Sequence, residues 1–327
     1  MLCSIRQRRC LATVASIGVI AAASRSSHAQ TIDPFYASTY SVNDLGAPPG
    51  ALPSFGGMAF KAGEPDTLLL GVQASGGAAK IDSIPLTRDP TTHHITGFGT
   101  ATFFADAPGF NGGGLDGGLV YGPGGVLFYT TYPDNWLGQI KPGSTGPDKL
   151  SLLTARGVTP STGSVMFVPA GFGGAGRMKI NSYDGDNWYD TTVVPDGTGT
   201  YEINLASPAI FIGGGPEGTI YISHTTPLFP ADSVLISEYN NDLVVAYDVN
   251  ANGDPIPATR RIFMSGLSGP EGAVMDPVTG DFLFATAGAN PEHIVRVQVV
   301  PEPSACLMLM TMAASVLRLR PRGARQG

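Results

Sequence analysis

The chain has 327 residues, with 19 Lys+Arg against 26 Asp+Glu and a formal net charge of −7 at pH 7. Four basic residues lie in residues 1–29 and four in residues 300–327, with Glu302 the single acid in either, so the body between keeps 11 basic against 25 acidic residues, near −14. That balance excludes nucleic acid and anionic lipid as partners of the body, since either would be repelled.

Arg6, Arg8 and Arg9 open the chain, residues 11–23 form an apolar stretch, and Ser27-His28-Ala29 is a small-x-small cleavage site. This order predicts a signal peptide over residues 1–29, cut between Ala29 and Gln30. The three cysteines, Cys3, Cys10 and Cys306, all lie in the terminal segments, so the body forms no disulfide in an oxidising destination. A body of this length buries a sufficient core without one.

From residue 30 to 299 the chain reads as one all-β domain. The 44 glycines and 27 prolines of the full chain fall mostly here and punctuate short apolar runs, and no long stretch keeps a helical period. Strands are predicted over residues 67–72, 125–131, 177–183, 219–223, 234–239, 243–249 and 282–286, many bounded by Gly-Gly, Pro-Asp or Asn-Gly turns. They recur as a unit. Gly215-Pro216-Glu217-Gly218 and Gly269-Pro270-Glu271-Gly272 each precede a strand, 54 residues apart. Weaker copies begin at Phe55, Asp116 and Ser161, so that glycines 57, 118, 163, 218 and 272 mark a period of 45 to 61 residues. Such a period in four-strand units predicts a β-propeller of five or six blades, the sixth lying between Lys80 and Phe110. Paired β-sandwiches are the alternative, but they leave the repeated Pro-Glu-Gly unit unexplained. Ring closure is expected from residues 36–42 pairing with residues 294–299.

The Pro-Glu-Gly units, Asp276-Pro277 with Thr279-Gly280-Asp281, and Ser237-Glu238-Tyr239-Asn240-Asn241 resemble NHL and gluconolactonase-like propellers over most of residues 55–297. In that family a glutamate near a blade's inner strand helps hold a divalent metal in the central channel. The resemblance therefore makes Glu217 and Glu271 metal candidates, with an asparagine and an aspartate still to be supplied by other blades. A repeated structural turn needs the same glutamates. A second candidate is Asp248, Asn250, Asn252 and Asp254, spaced like the first half of a calcium loop with Gly253 at the turn. The twelfth position is Thr259 rather than an acid, and an Asn-Gly hairpin turn uses the same residues. Ca²⁺ is the cofactor these groups would suit, and none is required. Asp184-Gly185-Asp186-Asn187 and Asp134-Asn135-Trp136 are acidic turns that read as a repeat. His93 and His94, if on a strand, face opposite sides and cannot chelate one ion. No nucleophile elbow, paired-histidine zinc motif or phosphate loop is present, and no catalytic residue is assigned.

The tail begins with Pro301-Glu302-Pro303, continues through an apolar run over residues 305–317, and ends with Arg318, Arg320, Arg322 and Arg325. The prolines keep the start extended. The run is shorter than the roughly 20 residues a spanning helix needs, and the arginines favour a cytoplasmic end. Residues 300–327 resemble a PEP-CTERM sorting segment. The resemblance implies a Gram-negative exported protein, briefly anchored in the inner membrane, processed by an exosortase-type enzyme, and left at the cell surface or outside.

Two functions follow as expectations. One is a non-catalytic propeller that binds a matrix component such as polysaccharide, a ligand class that the sorting-segment resemblance implies, with Trp136 and Trp188 as candidate stacking residues. The other is a metal-dependent hydrolase or lactonase in the channel. Fold alone does not imply catalysis, which favours the first.

Overall fold

Runs such as Leu68-Leu69-Leu70 have no polar alternation and require strands covered on both faces. The computed structural model of the protein describes residues 29–289 and 291–300. Residues 1–28 of the expected signal peptide and residues 301–327 of the expected sorting segment lie outside the described residues, including Pro301, Glu302, Pro303, Arg318, Arg320, Arg322 and Arg325.

The described chain is a five-bladed β-propeller. It opens with β1 (Thr31–Ile32) and β2 (Tyr40–Asp44). Blade 1 holds β3 (Met58–Lys61), β4 (Glu64–Val72), β5 (Lys80–Arg88), β6 (Ile95–Phe98) and β7 (Thr102–Asp106). Blade 2 holds β8 (Gly114–Tyr121), β9 (Leu127–Tyr132), β10 (Trp136–Ile140) and β11 (Lys149–Leu152). Blade 3 holds β12 (Thr162–Phe167), β13 (Met178–Ser182) and β14 (Asn187–Thr191). A separate hairpin of β15 (Val193–Pro195) and β16 (Tyr201–Ile203) precedes its outermost strand, β17 (Ile210–Phe211). Blade 4 holds β18 (Pro216–Ile222), β19 (Ser233–Glu238), β20 (Leu243–Asp248) and β21 (Arg261–Ser265). Blade 5 holds β22 (Pro270–Met275), β23 (Phe282–Thr286) and β24 (Ile294–Val299). Neighbouring strands in each blade pair antiparallel, with β3, β8, β12, β18 and β22 innermost.

Closure comes from the N-terminal segment. β2 supplies the outer strand of blade 5, pairing Tyr40 with Val299 and Asp44 with Val295. β1 meanwhile extends blade 4 against β21. One segment thus ties the first described residues to the last two blades. The expected closing strand started at Tyr36, but Tyr36 lies in a turn: Tyr36 N–H and Ala37 N–H both donate to Asp33 O. The ring of Tyr36 is buried against Phe229 and Phe263, so burial draws it out of the ladder.

No sixth blade forms between Lys80 and Phe110. The nine-residue β5 is long enough to carry two partners, pairing β7 over Lys80–Ser83 and β6 over Leu86–Arg88. These residues complete blade 1.

Each seam between blades has its own core. Leu69 and Ile81 of blade 1 pack with Leu119 and Tyr129 of blade 2, whereas Leu68 and Leu70 face the opposite seam with Leu283 and Ile294 of blade 5. Phe128 meets Met178 and Ile180 between blades 2 and 3, and Trp188 meets Tyr247 between blades 3 and 4. Tyr40, Phe263, Phe282 and Phe284 fill the last seam. Side chains alternate between two buried faces, and each large one contributes about 1.5–3 kcal/mol.

The inner strands approach so closely that a side chain has no room at the repeat glycines. A Cβ on Gly57 would lie 2.7 Å from Gly118, and one on Gly118 would lie 2.6 Å from the Val165 nitrogen. The same collision links Gly163 to Pro216, Gly218 to Glu271, and Gly272 back to Gly56. The periodic glycines are the contacts that close the ring.

Candidate functional site

Three acids meet at one end of the axis. Asp116 from β8, Glu217 from β18 and Glu271 from β22 offer carboxylate oxygens within 4.8 Å of one another. They are 3 %, 2 % and 4 % exposed. A register slip near the start of each inner strand lies at these acids: between Leu115 and Leu119, Pro216 and Thr219, and Pro270 and Ala273. Bulges of this kind re-aim side chains out of the regular pleat.

The cluster is electrostatically costly as it stands. At an effective dielectric near 20, two carboxylates about 5 Å apart repel by roughly 3 kcal/mol. Among the described residues, no lysine or arginine forms an ion pair with any of the three. Ser75 Oγ donates to Asp116 Oδ1 at 3.0 Å. Asp116 Oδ2 and Glu217 Oε2 are buried without a hydrogen-bond partner among the described residues. Burial pushes the Asp116 carboxyl up to about 7. Burial, followed by the Asp116 charge, raises Glu217 well above the usual carboxylate range. Glu271 is raised by burial and then by the Glu217 and Asp116 charges. Two orphaned oxygens in an all-carboxylate donor set fit a hard divalent cation such as Ca²⁺ or Mg²⁺.

Above the acids stands an arc of tyrosines. Blades 2, 3 and 4 each turn from second to third strand through a tyrosine followed three residues later by Asn or Asp at positive φ. These pairs are Tyr132 with Asn135 (52°), Tyr183 with Asp186 (54°), and Tyr239 with Asp242 (56°). Tyr132 and Tyr183 meet edge to face at 5.9 Å, as do Tyr183 and Tyr239 at 5.8 Å. Burial and then the Glu217 charge push the Tyr183 hydroxyl up to about 12, so it stays protonated and donates to Asn240 Oδ1 at 2.8 Å. The corresponding stretches of blades 1 and 5 contribute Ala74 and Ala287 instead. The result is a cavity of about 190 Å³ lined by the three acids, by the tyrosines on one side and by the small residues Ser54, Ala74, Ser75 and Ala287 on the other.

Glu217 and Glu271, singled out from the sequence, are brought together here. The calcium-like loop faces the protein's own cations. Asp248 Oδ1 accepts from Arg261 at 2.7 Å, and Asn250 Oδ1 accepts from the backbone N–H groups of Asn252 and Asp254. The buried Lys179 ammonium donates to Asp254 Oδ1 at 2.6 Å, Asn252 O at 2.8 Å and Asp190 Oδ1 at 2.7 Å. The Lys179 ammonium therefore takes up the Asp254 carboxylate and the Asn252 carbonyl of that loop. Trp188 is fully buried and donates to Asp254, whereas Trp136 is half-buried and carries Phe110 stacked on it. His93 sits in a turn at φ 61° and His94 bonds Asp281, so the two share no site.

Sequence reasoning missed Asp116 and the tyrosine arc. Asp116 precedes its repeat glycine by two residues rather than one, which hides its equivalence to Glu217 and Glu271. The arc was readable as Tyr-x-x-Asn/Asp recurring at 132, 183 and 239.

No protein-family model matches the sequence, and no curated protein matches it. Among solved structures, a Bacteroides uniformis protein assigned as a 6-phosphogluconolactonase is similar at TM-score 0.43 and 14% identity, over 78% of this chain and 70% of that one. A Bacteroides ovatus auxiliary nutrient binding protein gives 0.44 and 11%, over 80% and 77%. Streptogramin B lyase gives 0.38 and 13%, over 80% and 99%. Likenesses this remote bear on neither ligand nor reaction, and the blade count rests on the strand pairing alone.

Proposed function

We propose that this is an exported, exosortase-sorted surface protein whose propeller binds a matrix polysaccharide in the axial cavity, with a divalent cation held by Asp116, Glu217 and Glu271. The observation that carries the reading is the pair of orphaned buried oxygens, Asp116 Oδ2 and Glu217 Oε2, beneath the tyrosine arc. A cation would neutralise the acids and offer coordination to sugar hydroxyls, while the tyrosines supply ring faces and hydroxyls for a saccharide. Export and sorting rest on the basic-apolar leader and the Pro-Glu-Pro tail.

Calorimetric titration of the exported protein with CaCl₂, followed by neutral glycans, tests the site. Heat from Ca²⁺ and Ca²⁺-dependent glycan binding are expected; neither in wild type overturns the reading. Peptide mapping of membrane and medium fractions tests the sorting. A species running from Gln30 to the Pro301–Pro303 region in the medium is expected, whereas a membrane form retaining Arg325 overturns it.

The same acids favour a second reading, a metal-dependent lactonase, because a cation there would act as a Lewis acid toward a carbonyl. Lactone hydrolysis abolished by chelation supports it. Cation binding without hydrolysis leaves the binding reading.

A further inference from the structure

The axial cavity continues outward. Ser54 and Ala74 line it and also line a shallower hollow of about 530 Å³ that runs over blade 1 past Leu52, Gln73, Gly76 and Ala78. The hollow leaves the cavity on the side where the tyrosine arc is missing. At the Gly77 turn it meets the loop that enters blade 2: a Cβ on Gly77 would lie 3.4 Å from Gly112 O. That loop carries Phe110, which is 64% exposed and stacks on Trp136 at 4.8 Å and 24°. Phe110 is held in place, since its N–H and that of Asn111 both donate to Asp134 Oδ2, at 2.6 and 2.9 Å.

Resting on the polysaccharide reading above, we infer that cavity, hollow and Phe110 form one track for an extended neutral polysaccharide, its terminal ring in the axial cavity and its following units running over blade 1 to the Phe110 plate. Size supports a chain end. At about 190 Å³ the cavity falls below the roughly 300–1,000 Å³ of ordinary ligand pockets, whereas adding the hollow brings it into that range. A rigid exposed aromatic two residues from the Gly77–Gly112 contact suits the apolar face of a sugar ring. Charge selects a neutral chain, because the acidic body repels polyanions. The small residues Ala74, Gly76 and Ala78 leave the track open where bulkier side chains would block it.

The test is calorimetry of the exported protein, in CaCl₂, against β-1,4-glucan, β-1,3-glucan and N-acetylglucosamine ladders of one to six units. On the ladder that binds, Kd is expected to fall at least tenfold from one to four units and then level. Phe110→Ala and Ala78→Trp should each return the hexamer to the single-ring affinity while leaving single-ring binding within twofold. Affinity independent of length, or both variants keeping the gain, overturns the track and leaves the axial-cavity reading standing. Binding of no ladder, with Ca²⁺ heat retained, overturns the track together with the polysaccharide reading.

Discussion

Glu271 of blade 5 and Asp116 of blade 2 bring carboxylate oxygens within 4.8 Å of each other, joining two acids that the chain keeps far apart. Because burial raises Asp116 to about 7, its protonated form is favoured by folding. The stabilisation is fully present below the unfolded value near 4 and is lost as pH rises through about 7. In EDTA, the melting temperature should therefore decline between pH 4.5 and 8 more steeply for wild type than for Asp116→Asn. Equal slopes by differential scanning calorimetry would show that the acid pair carries no such linkage.

Cation binding should reverse that decline. At 100 times its Kd, Ca²⁺ is expected to add about 2.7 kcal/mol to wild-type stability. Glu217→Gln removes one donor and relieves repulsion, so its EDTA form should be as stable as wild type or more so, with most of the Ca²⁺ gain gone. A full Ca²⁺ response in Glu217→Gln would place the cation elsewhere.

The acids around Lys179 should behave in the opposite way. Its ammonium is fully buried and links Asp190 of blade 3 to Asp254 of blade 4. Lys179→Met leaves two buried carboxylates without that partner and should cost about 3–5 kcal/mol in urea unfolding. Asp254→Asn should leave the Ca²⁺ response unchanged. A lost response there would return the loop from Asp248 to Asp254 to candidacy as a cation site.

Gly272→Ala tests the closure of the ring. Its Cβ would strike the Gly56 backbone, which cannot swing aside as a flexible side chain would. A loss of about 1–3 kcal/mol is expected. Gly97→Ala in β6, with nothing within 4 Å of the added carbon, should stay within about 0.5 kcal/mol. Equal effects in denaturant melts would mean that the inner-strand contacts are not limiting.

Much of the fold was legible because its determinants are local. The strand at residues 282–286 is β23 as read, and the runs at 219–223 and 243–249 lie within a residue or a few of β18 and β20. Turn residues and paired apolar faces act within a few positions, so they survive translation into a linear pattern. The number of blades was less legible, because β5 serves two partners and residues 80–106 resemble a unit of their own. Glu217 and Glu271 stood out through an intact Pro-Glu-Gly repeat. Asp116 did not, because the slip between Leu115 and Leu119 shifts it off the repeat position while bringing its carboxylate to the same point.

The sequence alone determined an all-β chain of recurring glycine-marked units and an acidic body, since period, turn chemistry and charge need no knowledge of distant contacts. Only the tertiary structure decided that there are five blades, that Lys179 pairs with Asp254 of the calcium-like loop, and that Asp116 joins Glu217 and Glu271. Those outcomes depend on which strands become neighbours when the ring closes, and closure brings side chains from separate blades within a few ångströms whatever their separation along the chain.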